Sequence, residues 1–196
     1  KLIAEKIVIN ANNSASDVKK SFSVIRFGNV IGSRGSVFEV FNTQLRQNID
    51  LTITHKDMSR FFMSLEDAAK KILKSIEISR GGEIIAIQSM NSFKILDLAE
   101  TLIKYYKKNF KNKSKLKFIG IKKSEKLYEE LLTSEEAKSA VETKDFIIVN
   151  EKFDLKVNQK IYKGRKLYSN RILNSKTVKL LNQNQILNYL IKKKLL

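Results

Sequence analysis

The chain has 196 residues, with 38 Lys and Arg against 20 Asp and Glu, which gives a formal net charge of +18. It has no cysteine and one histidine, so a disulfide framework, a thiolate metal site and a multi-histidine metal site are excluded. A hydrophobic fraction of 42% suits a chain that buries a core. No run of residues approaches the roughly 20 apolar residues of a membrane-spanning helix.

The predicted elements alternate between helix and strand as far as about residue 135. In chain order they are a helix over 1–10, a polar loop over 11–17, a strand over 22–27, a helix over 37–47, a strand over 51–54, a helix over 64–78, a strand over 83–88, a helix over 95–108, a strand over 116–119, a helix over 125–132 and a short helix from 135. This alternation predicts an α/β fold with a largely parallel sheet. A strand over 145–149, an irregular segment over 156–174 and an amphipathic helix or helix pair over 178–196 follow.

A glycine cluster, Gly28-Asn-Val-Ile-Gly-Ser-Arg-Gly-Ser36, follows the predicted strand 22–27. Open α/β sheets bind ligands at the carboxyl ends of their strands, and glycine permits positive φ and a close approach to a ligand. Asn29 offers a donor and an acceptor, and Arg34 can hold a phosphate or carboxylate through two hydrogen bonds. On the residues alone, an ordinary strand-to-helix turn explains the cluster equally well.

The segment from Arg26 to Val37 resembles the pattern R-Y-G-N-V-x-G-S-R-G-S-V of the inverting UDP-N-acetylglucosamine 4,6-dehydratase family. These are extended short-chain dehydrogenase/reductases of bacterial surface-polysaccharide and flagellar-sugar biosynthesis. Other segments resemble family motifs that occur in the same order. Residues 1–7 and 11–13 resemble the helix after Tyr-x-x-x-Lys, residues 57–62 resemble R-M-T-R-F-W, and residues 81–84 resemble G-G-E-I. Residues 120–129 resemble G-I-R-P-G-E-K-L-H-E, and residues 168–170 resemble Y-S-S-N.

The resemblance implies a fold class and a domain organisation. The fold is the C-terminal part of an extended short-chain dehydrogenase, Rossmann-like and mostly parallel, with a substrate-binding subdomain and with the N-terminal half missing. Residues 1–32, with strand 83–88, would close the NAD(P)-binding domain. Residues 33–135 would form mainly the sugar-nucleotide-binding subdomain, and 136–196 a C-terminal extension. Because the chain begins in what reads as the middle of a helix, we expect a fragment that is inactive alone.

The resemblance also implies roles for individual residues. Lys1 would be the lysine of Tyr-x-x-x-Lys, a catalytic and cofactor-binding residue whose partner tyrosine lies four positions before it, outside the chain. Val30 would contact the nicotinamide of the cofactor. The remaining positions would bind the sugar nucleotide: Asn29, Ser33, Arg34, Gly35, Ser36, Thr54, Arg60 at the diphosphate, Lys122, and Glu125 at the ribose hydroxyls. Solvated or structural roles for Lys1, Thr54, Arg60 and Glu125 remain alternatives.

The implied activity is that of an NADP-dependent UDP-N-acetylglucosamine 4,6-dehydratase, with NAD as the other cofactor and a UDP-sugar as substrate. A homo-oligomer in the cytoplasm is implied, with no metal and no nucleic-acid partner, and an upstream membrane anchor is left open. A UDP-sugar 4-epimerase or a reductase of the same superfamily is the alternative within enzymes, and a degenerate fragment without activity is another. The segment 104–126, with ten lysines and one acid, keeps a basic nucleic-acid-binding module as the alternative of another class.

The departures from the family pattern lie mainly in one loop. The family arginine of G-I-R-P-G-E is Lys122, the Pro-Gly turn is Lys123-Ser124, and the histidine of K-L-H-E is Tyr128. Phe27 also replaces a tyrosine. Because lysine lacks the planar fork of arginine, we expect weaker or altered nucleotide binding at this loop.

Overall fold

The computed structural model describes residues 1–14, 21–167 and 173–196 of the chain. Helices and strands alternate over most of this part of the chain, so the predicted α/β class is confirmed. The helices are α1 Leu2–Ser14, α2 Val37–Arg46, α3 Leu65–Ile78, α4 Ile95–Phe110, α5 Ser134–Ser139, α6 Leu155–Tyr162 and α7 Gln183–Lys192. The strands are β1 Val24–Arg26, β2 Asn29–Val30, β3 Leu51–Ile53, β4 Ser59–Met63, β5 Ile84–Ile87, β6 Asn91–Lys94, β7 Leu116–Phe118, β8 Val141–Glu142, β9 Phe146–Val149 and β10 Arg165–Lys166.

The chain divides into two compact units, each assembled from three stretches of sequence. The first unit comprises Lys1–Phe27, Asp67–Ser89 and Glu130–Leu173, and the second comprises Gly28–Glu66, Met90–Glu129 and Asn174–Leu196. The glycine cluster and all of the predicted substrate-binding residues therefore belong to the second unit, whereas Lys1 belongs to the first.

A five-stranded sheet with the order β1-β5-β9-β8-β10 forms the centre of the first unit. β1 and β5 are parallel, with Val24 opposite Ile84, and the later strands join by antiparallel pairing. β9 reads Phe-Ile-Ile-Val and is buried at all four positions. A short continuous apolar run of this kind is typical of a strand covered on both faces.

Two smaller sheets lie in the second unit. In the three-stranded sheet β2-β4-β6, β2 is parallel to β4, with Asn29 opposite Phe62, and β6 is antiparallel to β4. In the two-stranded sheet, β3 and β7 are parallel, and the Ile119 N–H donates to the Ile53 carbonyl at 2.9 Å beyond the last strand pair. The carboxyl ends of β3 and β7 therefore lie side by side.

The core of the second unit is built from the apolar faces of its helices and sheets. The rings of Phe62 on β4 and Phe93 on β6 stack at a centroid distance of 4.0 Å. α4 buries Leu98, Ala99, Leu102 and Ile103 along one face, as its helical spacing predicts. Other members are Ile31, Phe38, Phe41, Leu45, Leu51, Ile53, Met58, Ile95, Tyr106, Ile186 and Leu190.

The predicted helix over 125–132 is wrong, because the segment is a succession of turns. Its backbone groups bond to other parts of the chain instead of to each other: the Leu127 carbonyl accepts from Ser59, and the Glu129 carbonyl accepts from Ser175. The predicted start of the polar loop at residue 11 is also wrong, because α1 continues to Ser14. In the segment 125–132, bonding to distant residues therefore overrides the local pattern.

The irregular segment predicted over 156–174 is likewise wrong in its first half, which contains α6 and β10. The Asp154 carboxylate accepts a hydrogen bond from the Val157 N–H at 2.9 Å and so caps the start of α6. The motif over 168–170 lies outside the residues that the structure describes. The short strands β2, β4, β6 and β8 were not predicted, because two to five residues carry little periodic signal.

Candidate functional site

The glycine cluster forms a strand, two turns and a helix start. The Ile31 N–H donates to the Met63 carbonyl at 2.9 Å, which continues the pairing of β2 with β4. The Ser33 N–H then donates to the Val30 carbonyl at 3.2 Å, and the Ser36 N–H donates to the Ser33 carbonyl at 2.9 Å. Gly32 and Gly35 have φ values of 77° and 76°, in the left-handed region that favours glycine. Ser33, Arg34 and Gly35 are exposed at the tip of this segment.

Ser36 has a structural task in addition to its predicted one. Its hydroxyl accepts a hydrogen bond from the Glu39 N–H at 3.4 Å and caps the N-terminus of α2. The partial positive charge of a helix N-terminus favours an anion nearby, and the exposed Arg34 guanidinium adds a full positive charge two residues earlier. The tip of this segment can therefore attract a phosphate or a carboxylate.

Gly28 is required for a reason other than ligand approach. A Cβ at this position would lie 2.3 Å from the Cβ of Phe61 and 2.7 Å from its carbonyl oxygen. The close approach that we expected toward a ligand is thus an approach to β4. By contrast, a Cβ on Gly35 would meet no atom within 4 Å, so Gly35 is needed only for its positive φ.

Arg60 lies on β4, and its guanidinium is bound by the segment Lys122–Glu129, which we call the 122–129 loop. Nη1 donates to the Ser59 carbonyl at 2.8 Å and to the Leu127 carbonyl at 3.0 Å, and Nη2 donates to the Lys126 carbonyl at 2.6 Å. Nε lies 3.6 Å from the Glu129 carboxylate. The side chain is 12% exposed, and these contacts leave one Nη2 hydrogen for a further acceptor.

Asn29 and Arg60 lie on the same face of the three-stranded sheet. Asn29 is opposite Phe62 in the parallel pair, and Phe62 and Arg60 are two residues apart on β4. Because side chains alternate along a strand, these three positions point to one side. Val30 is opposite Met63 and lies on the other face.

Thr54 and the start of the 122–129 loop follow the adjacent carboxyl ends of β3 and β7. The half-buried Thr54 hydroxyl donates to the Met58 sulfur at 3.5 Å. In the loop after β7, the Glu125 N–H donates to the Lys122 carbonyl at 2.9 Å, and the Glu125 carboxylate lies 3.5 Å from the Lys122 N–H. Lys122 is exposed, and Glu125 is half-buried. Glu125 thus shapes the turn at Lys123-Ser124.

The structure brings some predicted residues together and leaves others apart. Asn29 with Arg60, and Thr54 with the loop after β7, are neighbours within the second unit. In the part of the chain that the structure describes, no side-chain hydrogen bond or ion pair joins the turns at Ser33–Ser36 to Lys122 or Glu125. Lys1, in the first unit, is exposed, and its carbonyl accepts from the Glu5 N–H.

Sequence reasoning did not select three polar residues beside the predicted site. Asp57 and Lys94 form an ion pair at 3.0 Å with side chains 39% and 37% exposed. The hydrogen bond from Lys94 holds the pKa of Asp57 below its ordinary value. Ser175 is fully buried and bonds to Ser59 and Glu129. No sequence signal pointed to Ser175, because it follows a segment without periodicity.

In the first unit, Arg26 joins two carboxylates. Its guanidinium lies 2.7 Å from Glu5 on α1 and 2.9 Å from Glu136 on α5, and it also donates to the Leu131 carbonyl. Burial alone would lower the pKa of Arg26, but the hydrogen bonds with Glu136 and Glu5 outweigh burial and raise it. These contacts occupy the donors of Arg26, so this arginine serves the fold.

The described residues contain no group of three or more His, Asp or Glu side chains that could hold a metal ion. Within the same residues, no helix combines the length and the hydropathy that crossing a bilayer requires. The ten lysines of 104–126 are all exposed.

The sequence profile of the family described as "Polysaccharide biosynthesis protein" matches residues 1–151. An uncharacterized membrane protein of Methanocaldococcus jannaschii is 38% identical over 95% of this chain and 54% of its own length. The inverting UDP-N-acetylglucosamine 4,6-dehydratase of Campylobacter jejuni strain 81-176 is 36% identical over 85% of this chain and 50% of its own length. The chain thus spans about half the length of these two relatives.

Among solved structures, the X-ray structure of Pen from Bacillus thuringiensis is similar to the whole chain. The TM-score is 0.87 and the sequence identity 31%, and the match covers 100% of this chain and 57% of the other. Together with the matched relatives, this similarity confirms the resemblance drawn from the motifs.

Proposed function

We propose, from the premise that this chain belongs to the polysaccharide biosynthesis protein family, that it carries the nucleotide-sugar-binding part of a UDP-N-acetylglucosamine 4,6-dehydratase. The observation that carries the proposal is the conformation of the Gly28–Ser36 segment. The segment contains β2 and continues through two glycine-dependent turns to the N-terminus of α2, with Arg34 exposed at its tip. This combination suits the diphosphate of a sugar nucleotide.

The proposed roles follow the positions of the residues in the second unit. Arg34 and the N-terminal end of α2 would attract the diphosphate, and the remaining Nη2 hydrogen of Arg60 would reach one of its oxygens. Thr54, Lys122 and Glu125 would contact the uridine from the carboxyl ends of β3 and β7. The sugar-facing group comprises Asn29, Ser33, Gly35 and Ser36.

The residues proposed for the nicotinamide cofactor fit only part of it. The exposed ammonium of Lys1 can donate to a ribose hydroxyl, and Val30 offers an apolar contact for a ring. The 196 residues contain no G-x-x-G-x-x-G motif for the cofactor phosphates. When bound, NADP or NAD would accept and return a hydride. In the proposed reaction, Lys1 would favour the tyrosinate form of the tyrosine that takes the substrate proton.

We propose that the chain by itself binds a UDP-sugar without converting it. The tyrosine, the phosphate loop and the acid/base residues for elimination are not among the 196 residues. Incubation of the isolated chain with UDP-N-acetylglucosamine and NADP should give no product by mass spectrometry. A 4-keto-6-deoxy product would contradict this, and inversion at C4 alone would favour the epimerase. A cytoplasmic homo-oligomer remains part of the proposal for the whole protein.

Two exposed arginines of the second unit provide the test. Arg34 lies in the proposed site, and Arg46 lies in the last turn of α2 and serves as the matched control. Calorimetric titration should show that Arg34→Ala weakens UDP binding about tenfold, the size expected for a lost charge-assisted hydrogen bond, and that Arg46→Ala leaves it unchanged. Equal losses in both variants, or tighter binding to duplex DNA than to UDP, would favour a nonspecific basic surface.

A further inference from the structure

Three buried serine hydroxyls form a hydrogen-bond cluster in the second unit. Ser59 is 1% exposed, and Ser92 and Ser175 are 0% exposed. The Ser175 and Ser59 hydroxyls are 2.9 Å apart, and the Ser175 hydroxyl lies 3.1 Å from the Ser59 carbonyl. The Ser92 hydroxyl lies 3.0 Å from the Ser175 carbonyl. The cluster therefore fastens Ser175 to β4 and β6.

Ser175 also holds the end of the 122–129 loop. Its hydroxyl accepts a hydrogen bond from the Glu129 N–H at 2.9 Å, and its own N–H donates to the Glu129 carbonyl at 2.9 Å. A serine hydroxyl has one hydrogen and two lone pairs. One bond donated to the Ser59 carbonyl and two accepted from Glu129 and the Ser59 hydroxyl use all three. Ser175 thus has no hydroxyl hydrogen left for a ligand.

β4 binds the same loop at two further backbone carbonyls, those of Lys126 and Leu127. The Leu127 carbonyl accepts from the Ser59 N–H at 3.1 Å and from Arg60 at 3.0 Å, and the Lys126 carbonyl accepts from Arg60 at 2.6 Å. Residues 126–129 are therefore bonded both to β4 and to Ser175. Glu125, which carries a proposed nucleotide contact, directly precedes this fixed stretch, and its N–H bonds to the carbonyl of Lys122, which carries another.

We infer that Ser175 is a positioning residue that holds the 122–129 loop in the conformation that binds the nucleotide. This inference rests on the proposed function. Ser175 lies beyond residues 1–151, which the family profile matches, and it acts through the backbone of Glu129 without touching the ligand. Because it orders the loop as a whole, its loss should affect every uridine nucleotide to the same degree.

The test compares Ser175→Ala with Ser114→Ala. Ser114 is a matched control because it is 1% exposed in the same unit, and its hydroxyl forms no hydrogen bond among the described residues. Ser175→Ala leaves the partly buried Glu129 N–H without its acceptor, and a donor shielded from water without a partner is unfavourable. We expect amide hydrogen exchange over residues 122–129 to accelerate about tenfold, with exchange in α2 unchanged. Ser114→Ala should leave both unchanged.

Titration with UMP and UDP gives the second readout. Ser175→Ala should weaken both ligands by the same factor, about tenfold, because the lost contact is to the loop and not to a phosphate. Unchanged exchange over 122–129, or faster exchange without loss of affinity, would overturn the inference. If the unaltered chain binds neither nucleotide, the proposed function fails for this chain, and the inferred role in nucleotide binding falls with it, whatever the exchange data show for the loop.

A second variant covers the case in which Ser175→Ala does not fold. Ser175→Cys keeps the branching of the side chain with a somewhat larger atom in place of the oxygen, and it offers a weaker acceptor to the Glu129 N–H. It should accelerate exchange over 122–129 in the same direction by a smaller factor, about threefold. Exchange equal to that of the unaltered chain would overturn the inference.

Discussion

Arg26 and Arg60 are equally buried, each with a side chain 12% exposed, but their surroundings differ. Arg26 in the first unit faces two carboxylates, Glu5 and Glu136. Arg60 in the second unit faces mainly backbone carbonyls, with one carboxylate at 3.6 Å. The first arrangement surrounds one positive charge with two carboxylates and joins two helices to a sheet. The second binds most of the donors, fixes a loop and leaves one Nη2 hydrogen beside the proposed diphosphate site.

The largest effect on stability should come from removing the Arg26 guanidinium, which pairs with two carboxylates. Arg26→Ala leaves Glu5 and Glu136 without their guanidinium partner, and we expect the free energy of unfolding to fall by about 2–4 kcal/mol. This loss lies at the lower end of, or below, the range of about 3–5 kcal/mol for a broken buried pair, because the three side chains are partly exposed. Urea denaturation measures this. Arg80→Ala, at an exposed position of the same unit, should change stability by less than about 0.5 kcal/mol. A similarly small loss for Arg26→Ala would remove the contrast between the two arginines.

The pH dependence of stability should separate the same two arginines. Although burial would raise the pKa of Glu136, the hydrogen bond from Arg26 lowers it below the ordinary value of 4.5. A carboxyl group with a lowered pKa in the folded state stabilises the fold above its unfolded pKa, and this contribution disappears as the pH falls. The free energy of unfolding should therefore decrease as the pH is lowered below about 4.5, and this decrease should be smaller in Arg26→Ala. Arg60→Ala should keep the full acid dependence, and an equal reduction in both variants would contradict the comparison.

Arg60→Ala should act on ligand binding more than on stability. Loss of its bonds to Lys126 and Leu127 loosens the 122–129 loop, so UMP should bind about tenfold more weakly. UDP should lose several-fold more than UMP, because the remaining Nη2 hydrogen is proposed to reach the diphosphate. Calorimetric titration of both nucleotides measures the difference. Equal losses would remove Arg60 from the diphosphate and leave its contacts with the loop.

The smallest effect concerns the residue that departs from the family pattern. Lys122→Arg restores a planar fork at an exposed position of the loop, and we expect UDP-sugar affinity to rise about threefold. Lys123→Arg adds the same group one residue later and should have no effect. Unchanged or weaker binding by Lys122→Arg would count against the proposed contact between this loop and the nucleotide.

Much of the fold was predictable where one element carries its own periodicity. α2 and α4 were placed within two residues at each end, because their apolar residues recur at helical spacing. The stretch 125–132 failed because its backbone partners, Ser59 and Ser175, lie far away in the sequence. No local pattern can report such partners.

The candidate site was predictable in a different way. The glycine spacing and the family motifs selected the Gly28–Ser36 segment, and the structure gives it the turns that the glycines predicted. They could not show that Gly28 faces Phe61, or that carbonyls of residues 126 and 127 occupy most of the Arg60 donors. Those facts depend on which strands pair, and the strands that pair here are too short to predict.

The most direct test of the account is an amide chemical-shift map of the 15N-labelled chain titrated with UDP-N-acetylglucosamine. We expect saturable shifts centred on residues 29–36, 54–60 and 122–129, with the same apparent affinity at all three segments. The segment 104–117, which holds seven of the ten exposed lysines of 104–126, should not respond. Shifts confined to that segment, or no saturable shift at all, would contradict the proposal that this chain binds a nucleotide sugar.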